Sequence, residues 1–98
     1  MTIIEHSRGT ELELVLEGKL DSATVKELNA VFDRTLCGIE HLIINIEKLS
    51  YISSAGLRAL LIAQKTVGKK GKMNIHGANE TVMEIFRTTG FLKIMSID

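Results

Sequence analysis

A single cysteine, Cys37, interrupts an otherwise cysteine-free chain of 98 residues. One thiol cannot build an internal disulfide framework, so a reducing compartment is the natural setting. Net charge is equally absent, because twelve lysines and arginines balance twelve aspartates and glutamates. The whole-molecule charge therefore supplies no attraction to a phosphate backbone or an anionic membrane, and nucleic acid is not an expected partner. No stretch approaches the length that spans a bilayer. The opening Met1-Thr2-Ile3-Ile4-Glu5-His6 lacks the basic flank and long apolar stretch of a signal peptide, and the expected location is the cytoplasm. Proline is missing altogether, an absence from which no function follows.

Patterns that carry chemistry are missing too. There is no Gly-x-Ser-x-Gly elbow, and His6, His41 and His76 stand in no signature relation to Ser54 or a carboxylate, so a serine hydrolase has no support and no enzyme is expected. The same histidines and Cys37 show neither His-x-x-x-His nor Cys-x-x-Cys spacing, and no metal is expected. No glycine-rich phosphate loop follows a strand, which leaves no cofactor to propose. The one dense basic run, Lys69, Lys70 and Lys72, surrounds Gly68 and Gly71 and reads as a solvated turn.

What is present is an ordinary globular pattern. Hydrophobic residues make up 45% of the chain and charged residues 24%, near globular averages, and the length suits one domain over residues 1–98 built on one core. Residues 2–6 and 11–17 are apolar or alternating, with Leu12, Leu14 and Leu16 on one face and a turn at Ser7-Arg8-Gly9-Thr10, as in a hairpin whose second strand is closed by Gly18 to Leu20. Asp21-Ser22 would cap a helix bearing Val25, Leu28, Phe32 and Leu36 and ending near Cys37-Gly38. The nearly continuous apolar run from His41 to Ile46 predicts a short central strand covered on both faces, followed by a loop from Glu47 to Ile52. Residues 54–67 then favour helix, 72–76 strand, and Asn79 would cap a third helix stopped by Gly90. The apolar tail from Phe91 to Ile97 fits strand or helix. This order implies a mixed sheet with parallel crossovers and helices packed on it.

Within the helix that begins at Ser54, Gly56, Ala59, Leu60, Ala63 and Val67 form one stripe whose small side chains suit close packing on the sheet. Leu57, Arg58, Leu61 and Lys65 fall on a neighbouring stripe expected to be more exposed, where leucines flanked by Arg and Lys form either a docking patch or ordinary surface. Ser53 and Ser54 stand where the first helical amides lack intrahelical partners, so one of them serves as N-cap. A phosphate at such an N-terminus would be accommodated by free N–H groups and the helix macrodipole, and would set roughly two negative charges beside Leu57 and Leu61.

Three segments resemble successive signatures of the STAS domain family: Gly18-Lys19-Leu20-Asp21-Ser22-Ala23, Leu42-Ile43-Ile44-Asn45-Ile46, and Leu49-Ser50-Tyr51-Ile52-Ser53-Ser54-Ala55-Gly56-Leu57-Arg58. Thr89-Gly90-Phe91, the length and the element order are similar as well. The resemblance covers essentially the whole chain and is nearest to stand-alone anti-sigma factor antagonists. It implies an α/β fold, a single STAS-like domain with a mixed central sheet of four to five strands. It also implies partner switching. In that family the unphosphorylated antagonist binds a serine/threonine kinase that doubles as anti-sigma factor and so frees the sigma factor. Phosphorylation of one serine ends binding, and a metal-dependent serine phosphatase restores it. Aligned through Gly56-Leu57, the acceptor falls on Ser54, with Ser53 as second choice, and the family's preceding aspartate falls on Ser53. Asp21, Ser53, Gly56, Leu57, Arg58 and Leu61 are the implied partner-binding residues. A STAS scaffold or accessory subunit of a lipid-transport or signalling assembly, working without phosphorylation, is the alternative.

Overall fold

The structure, a computed structural model, describes residues 1–68 and 71–98; the turn expected at Lys69 and Lys70 lies outside the described residues. Strands β1 (Thr2–Arg8) and β2 (Glu11–Leu20) form an antiparallel hairpin that pairs Arg8 with Glu11. Gly9 takes φ 60° in the turn, a left-handed conformation that costs glycine nothing. The turn is tighter than the expected four-residue stretch, so β1 runs on to Arg8, while β2 begins at Glu11 and closes at Leu20 as expected. Helix α1 (Val25–Thr35), strand β3 (His41–Ile52), helix α2 (Ser54–Val67), strand β4 (Lys72–His76) and helix α3 (Glu80–Thr89) follow. The undecided tail contains both kinds of element, a 3-10 turn at Phe91–Lys93 and a short strand β5 (Ser96–Ile97). The sheet runs in the order β1-β2-β3-β4-β5, and every pair after the hairpin is parallel.

Two expectations about β3 are corrected. It does not stop at Ile46, and Glu47 to Ile52 is strand instead of loop. Between Val15 and Glu17 one residue of β2 stands against two of β3, Ile46 and Glu47, and between Gly18 and Lys19 the β3 residue Ser50 is extra; across these bulges β3 goes on to pair through Lys48, Leu49, Tyr51 and Ile52. Leu49 and Ile52 are buried, but their spacing from Ile46 breaks the two-residue period that would have revealed them. Nor is the strand covered on both faces. The buried sheet residues Leu12, Leu14, Leu16, Leu42, Ile44, Ile46, Met73 and Ile75 share one core with Leu28, Phe32, Leu60, Val82 and Phe86 of the helices. Val15 and Ile43, which point the other way in the pleat, take no part in that core.

The helix ends follow local chemistry. Asn79 Oδ1 accepts from the Val82 amide at 2.8 Å and its Nδ2 donates to the Leu49 carbonyl at 2.9 Å, so one side chain caps α3 and fastens it to β3. Gly90 ends α3 at φ 81°, and Phe86 stacks on Phe91 with ring centroids 5.7 Å apart. Helix α1 departs from expectation. It starts at Val25 after Thr24, without a side-chain cap. Asp21 Oδ1 instead accepts from the Ala23 and Thr24 amides, both at 3.0 Å, closing a turn ahead of the helix. Thr24 holds that turn by donating to the Lys19 carbonyl at 2.8 Å.

Candidate functional site

The serine turn is assembled where β3 meets α2. Ser53 is extended, with φ −95° and ψ 175°, and is the N-cap of α2. Its amide donates to the Leu20 carbonyl at 2.9 Å, its carbonyl accepts from the Leu57 amide at 2.9 Å, and its Oγ accepts from the Gly56 amide at 3.4 Å. All the cap chemistry thus falls to Ser53, which is half-buried. Ser54, the first helical residue, is exposed, and its hydroxyl makes no hydrogen bond among the described residues.

Gly56 explains why the helix starts so close to the sheet. A Cβ there would lie 2.7 Å from Leu20 Cγ and 2.8 Å from Ile52 Cγ1, so only glycine fits without displacement. The Ser53–Leu20 bond also sets this turn beside the one that Asp21 begins. The Thr24 amide is the main influence holding the Asp21 carboxyl below the ordinary aspartate range; the Ala23 amide adds to it and partial desolvation opposes it.

The structure sorts the partner-binding candidates into two groups. Ser54 and Arg58 are exposed one turn apart on α2, Leu61 is half-buried, and Asp21 lies partly exposed at the neighbouring turn. Gly56 and Leu57 are buried, Leu57 to 8% exposure, which corrects its assignment to the outer stripe. The small Gly56 and Ala59 draw the helix down until its contact with the core widens to include Leu57. The apolar residue that is exposed, and was not nominated, is Ile62 at 54%; its signal is the four-residue step Ser54, Arg58, Ile62. Tyr51, 43% exposed on β3 just before the serines, was also passed over.

The histidines serve other strands. His41 lies between Glu11 Oε1 at 3.2 Å and Asn74 Oδ1 at 2.9 Å, and His76 between Glu47 and Asp98. No histidine hydrogen-bonds to Ser54 among the described residues, which hold no cluster of three His, Cys, Asp or Glu side chains able to bind a metal ion. Among the described residues, no helix is long and apolar enough to cross a membrane.

Comparison with known proteins adds the following. A family model for the STAS domain matches residues 2–98. The anti-sigma F factor antagonist of Paenibacillus polymyxa is 30% identical over 99 residues, covering 96% of this chain and 82% of that protein. The candidate anti-sigma factor antagonist BtrV of Bordetella bronchiseptica is 31% identical over 84 residues, 84% of this chain and 72% of that one. Among solved structures, the anti-sigma factor antagonist SpoIIAA in its unphosphorylated form superposes with a TM-score of 0.86 at 20% identity, covering 99% of this chain and 88% of its own. The Bacillus cell fate determinant SpoIIAA in the phosphorylated form gives 0.76 at 19% identity, covering 99% and 91%. These superpositions establish a shared fold.

Proposed function

This chain belongs to the STAS domain family, and we propose that it is a cytoplasmic anti-sigma factor antagonist working by partner switching. The unphosphorylated chain binds an anti-sigma factor serine/threonine kinase and thereby releases a sigma factor. The kinase moves the γ-phosphoryl group of ATP to Ser54 Oγ, ADP leaves, and the hydroxyl proton is lost. A metal-dependent serine phosphatase hydrolyses the ester and restores binding. The role is that of a switched binding surface rather than a catalyst.

The observation that carries this reading is the division of labour between the two serines. Ser53 holds the cap while the Ser54 hydroxyl stands exposed and uncommitted at the first position of α2. Modification of Ser54 would leave the cap in place. The phosphoryl group, with about −1.5 to −2 charge near neutrality, would meet the unpaired amides and positive end of the helix. It would also stand one turn from Arg58 and two from Ile62, on the surface offered to the partner. An apolar contact made there with Ile62 and Leu61 would lose affinity to desolvation and repulsion. The STAS relatives named as anti-sigma factor antagonists support this reading, as does a structural neighbour solved in both unphosphorylated and phosphorylated forms.

The test is to recover the tagged protein from its native host, localise phosphate by mass spectrometry, and compare the partners that co-purify. Phosphate is expected on Ser54 and absent from Ser54→Ala. The Ser54→Ala variant should retain the kinase, and Ser54→Asp should lose it. If Ser54→Asp retains the partner as tightly as wild type, the switch is wrong and a phosphorylation-independent STAS scaffold takes its place.

A further inference from the structure

Both ring nitrogens of His76 meet a carboxylate from another part of the sheet. Nδ1 lies 2.8 Å from Asp98 Oδ1, just past β5, and Nε2 lies 3.2 Å from Glu47 Oε1 on β3. A neutral imidazole has one N–H and one lone pair, so it can satisfy one carboxylate and must turn a lone pair toward the other. Only the imidazolium donates to both. Among the described residues, His76 is the one cationic side chain paired with Glu47 or Asp98. Asn45 is the β3 residue in register with His76, Lys48 reaches toward Glu17 at 4.0 Å, and Lys72 stands at the far end of β4.

The backbone around this cluster is thinly held. Strand β5 comprises only Ser96 and Ile97, and past it the Asp98 amide donates to the Ile75 carbonyl at 2.9 Å while the Asp98 carbonyl accepts from Gly77 at 3.3 Å. The side-chain bridge thus falls on the residue whose backbone ends the β4–β5 ladder. We propose that His76 is a proton-operated clamp: protonated, it joins β3 to the segment after β5, and deprotonated, it loosens the last strand of the sheet. The Asp98 hydrogen bond first, then the Asp98 and Glu47 charges, hold the imidazole above its ordinary 6.5 against some desolvation. The sign follows. The contribution is complete below the unfolded value near 6.5 and is lost as pH rises through the higher folded value. Because the groups are exposed, added salt weakens it.

The full chain is the material for the test. The ring signals of His76 are followed by NMR across neutral pH, together with hydrogen exchange of the Gly77 and Asp98 amides, normalised for the intrinsic base-catalysed rate. His76 should titrate above 6.5, and normalised protection at both amides should fall severalfold with the same midpoint. Asp98→Asn should lower the ring midpoint, and His76→Gln should abolish the step. His41→Gln, which removes a histidine bound to Glu11 and Asn74 instead, should leave the step in place. A ring midpoint at or below 6.5, or an undiminished step in His76→Gln, would overturn the clamp.

Discussion

Replacing Gly56 by alanine sets two effects of opposite sign against each other. In an exposed helix the change adds about 1 kcal/mol, because alanine is the better helix former. Here the new methyl would lie 2.7 Å from Leu20 Cγ and 2.8 Å from Ile52 Cγ1, on side chains that are 0% and 1% exposed. Neither carbon is a free side-chain tip, so relief requires the end of β2, the end of β3 or the helix itself to shift. Overpacking of this kind costs about 1–3 kcal/mol, and contacts with two strands at once place it near about 3 kcal/mol. Subtracting the propensity gain leaves a loss of about 2 kcal/mol, or a Tm lower by roughly 8–16 °C for a domain of this size. Urea unfolding should show a lower midpoint with an unchanged m-value. Combining Gly56→Ala with Leu20→Ala should show a favourable coupling of about 1 kcal/mol or more, since the second change makes room for the first. A Gly56→Ala protein more stable than wild type would refute the close approach, and with it the account of how Ser54 is held beside the sheet.

Ser53→Ala should cost about 1 kcal/mol through loss of the cap, whereas Ser54→Ala should stay within about 0.5 kcal/mol; equal losses in urea melts would place the cap elsewhere. Leu57→Ala should cost about 2–3 kcal/mol as a buried truncation, while Arg58→Ala should stay within about 0.5 kcal/mol. A neutral Leu57→Ala in the same measurement would return that residue to the surface. The Asp21 carboxyl is held below 3.8 in the folded chain, so its contribution is present above that value and is lost as pH falls through the lower folded value. Asp21→Asn should therefore reduce the dependence of the urea midpoint on pH in this acid range; an unchanged slope would mean that the turn does not depend on the charge.

Elements with chemical punctuation were legible in the sequence, and those shaped by neighbours were not. The start of α2 at Ser54 and both ends of α3 depend on a side chain bonding an amide three residues on, or on a glycine, and such signals are local. The second half of β3 carries two extra residues against β2, and these put Leu49 and Ile52 off the two-residue alternation by which a window around Glu47 would read as strand. The rotation of α2 is not legible from periodicity alone. Periodicity gives the width of a helix face only when the depth of the helix against its support is known, and Gly56 sets that depth against Leu20 and Ile52. The exchange of Leu57 for Ile62 on the outer surface follows from it. Two adjacent serines are likewise interchangeable as letters, and only the Gly56 amide distinguishes the capping hydroxyl from the uncommitted one.

Ser53 stands where the resembled pattern has an aspartate, and the structure separates what the serine keeps from what it gives up. Serine and aspartate cap helices about equally well, so the hydrogen bond to Gly56 does not require the acid. A carboxylate would add a charge near the positive end of α2, worth about 0.3–1 kcal/mol at an exposed site. This helix has no acidic residue in its first turn, so that field is left uncompensated and available to a negative group on Ser54. Ser53→Asp should then stabilise the unmodified protein by about 0.3–1 kcal/mol. Its effect should shrink or reverse in a Ser54→Glu background, where two carboxylates share the same amides. Urea unfolding of the two single variants and the double variant measures the coupling. Strict additivity would show that the start of α2 does not distinguish a charge at 53 from one at 54, and that the missing aspartate has no bearing on how strongly this chain holds an anion at Ser54.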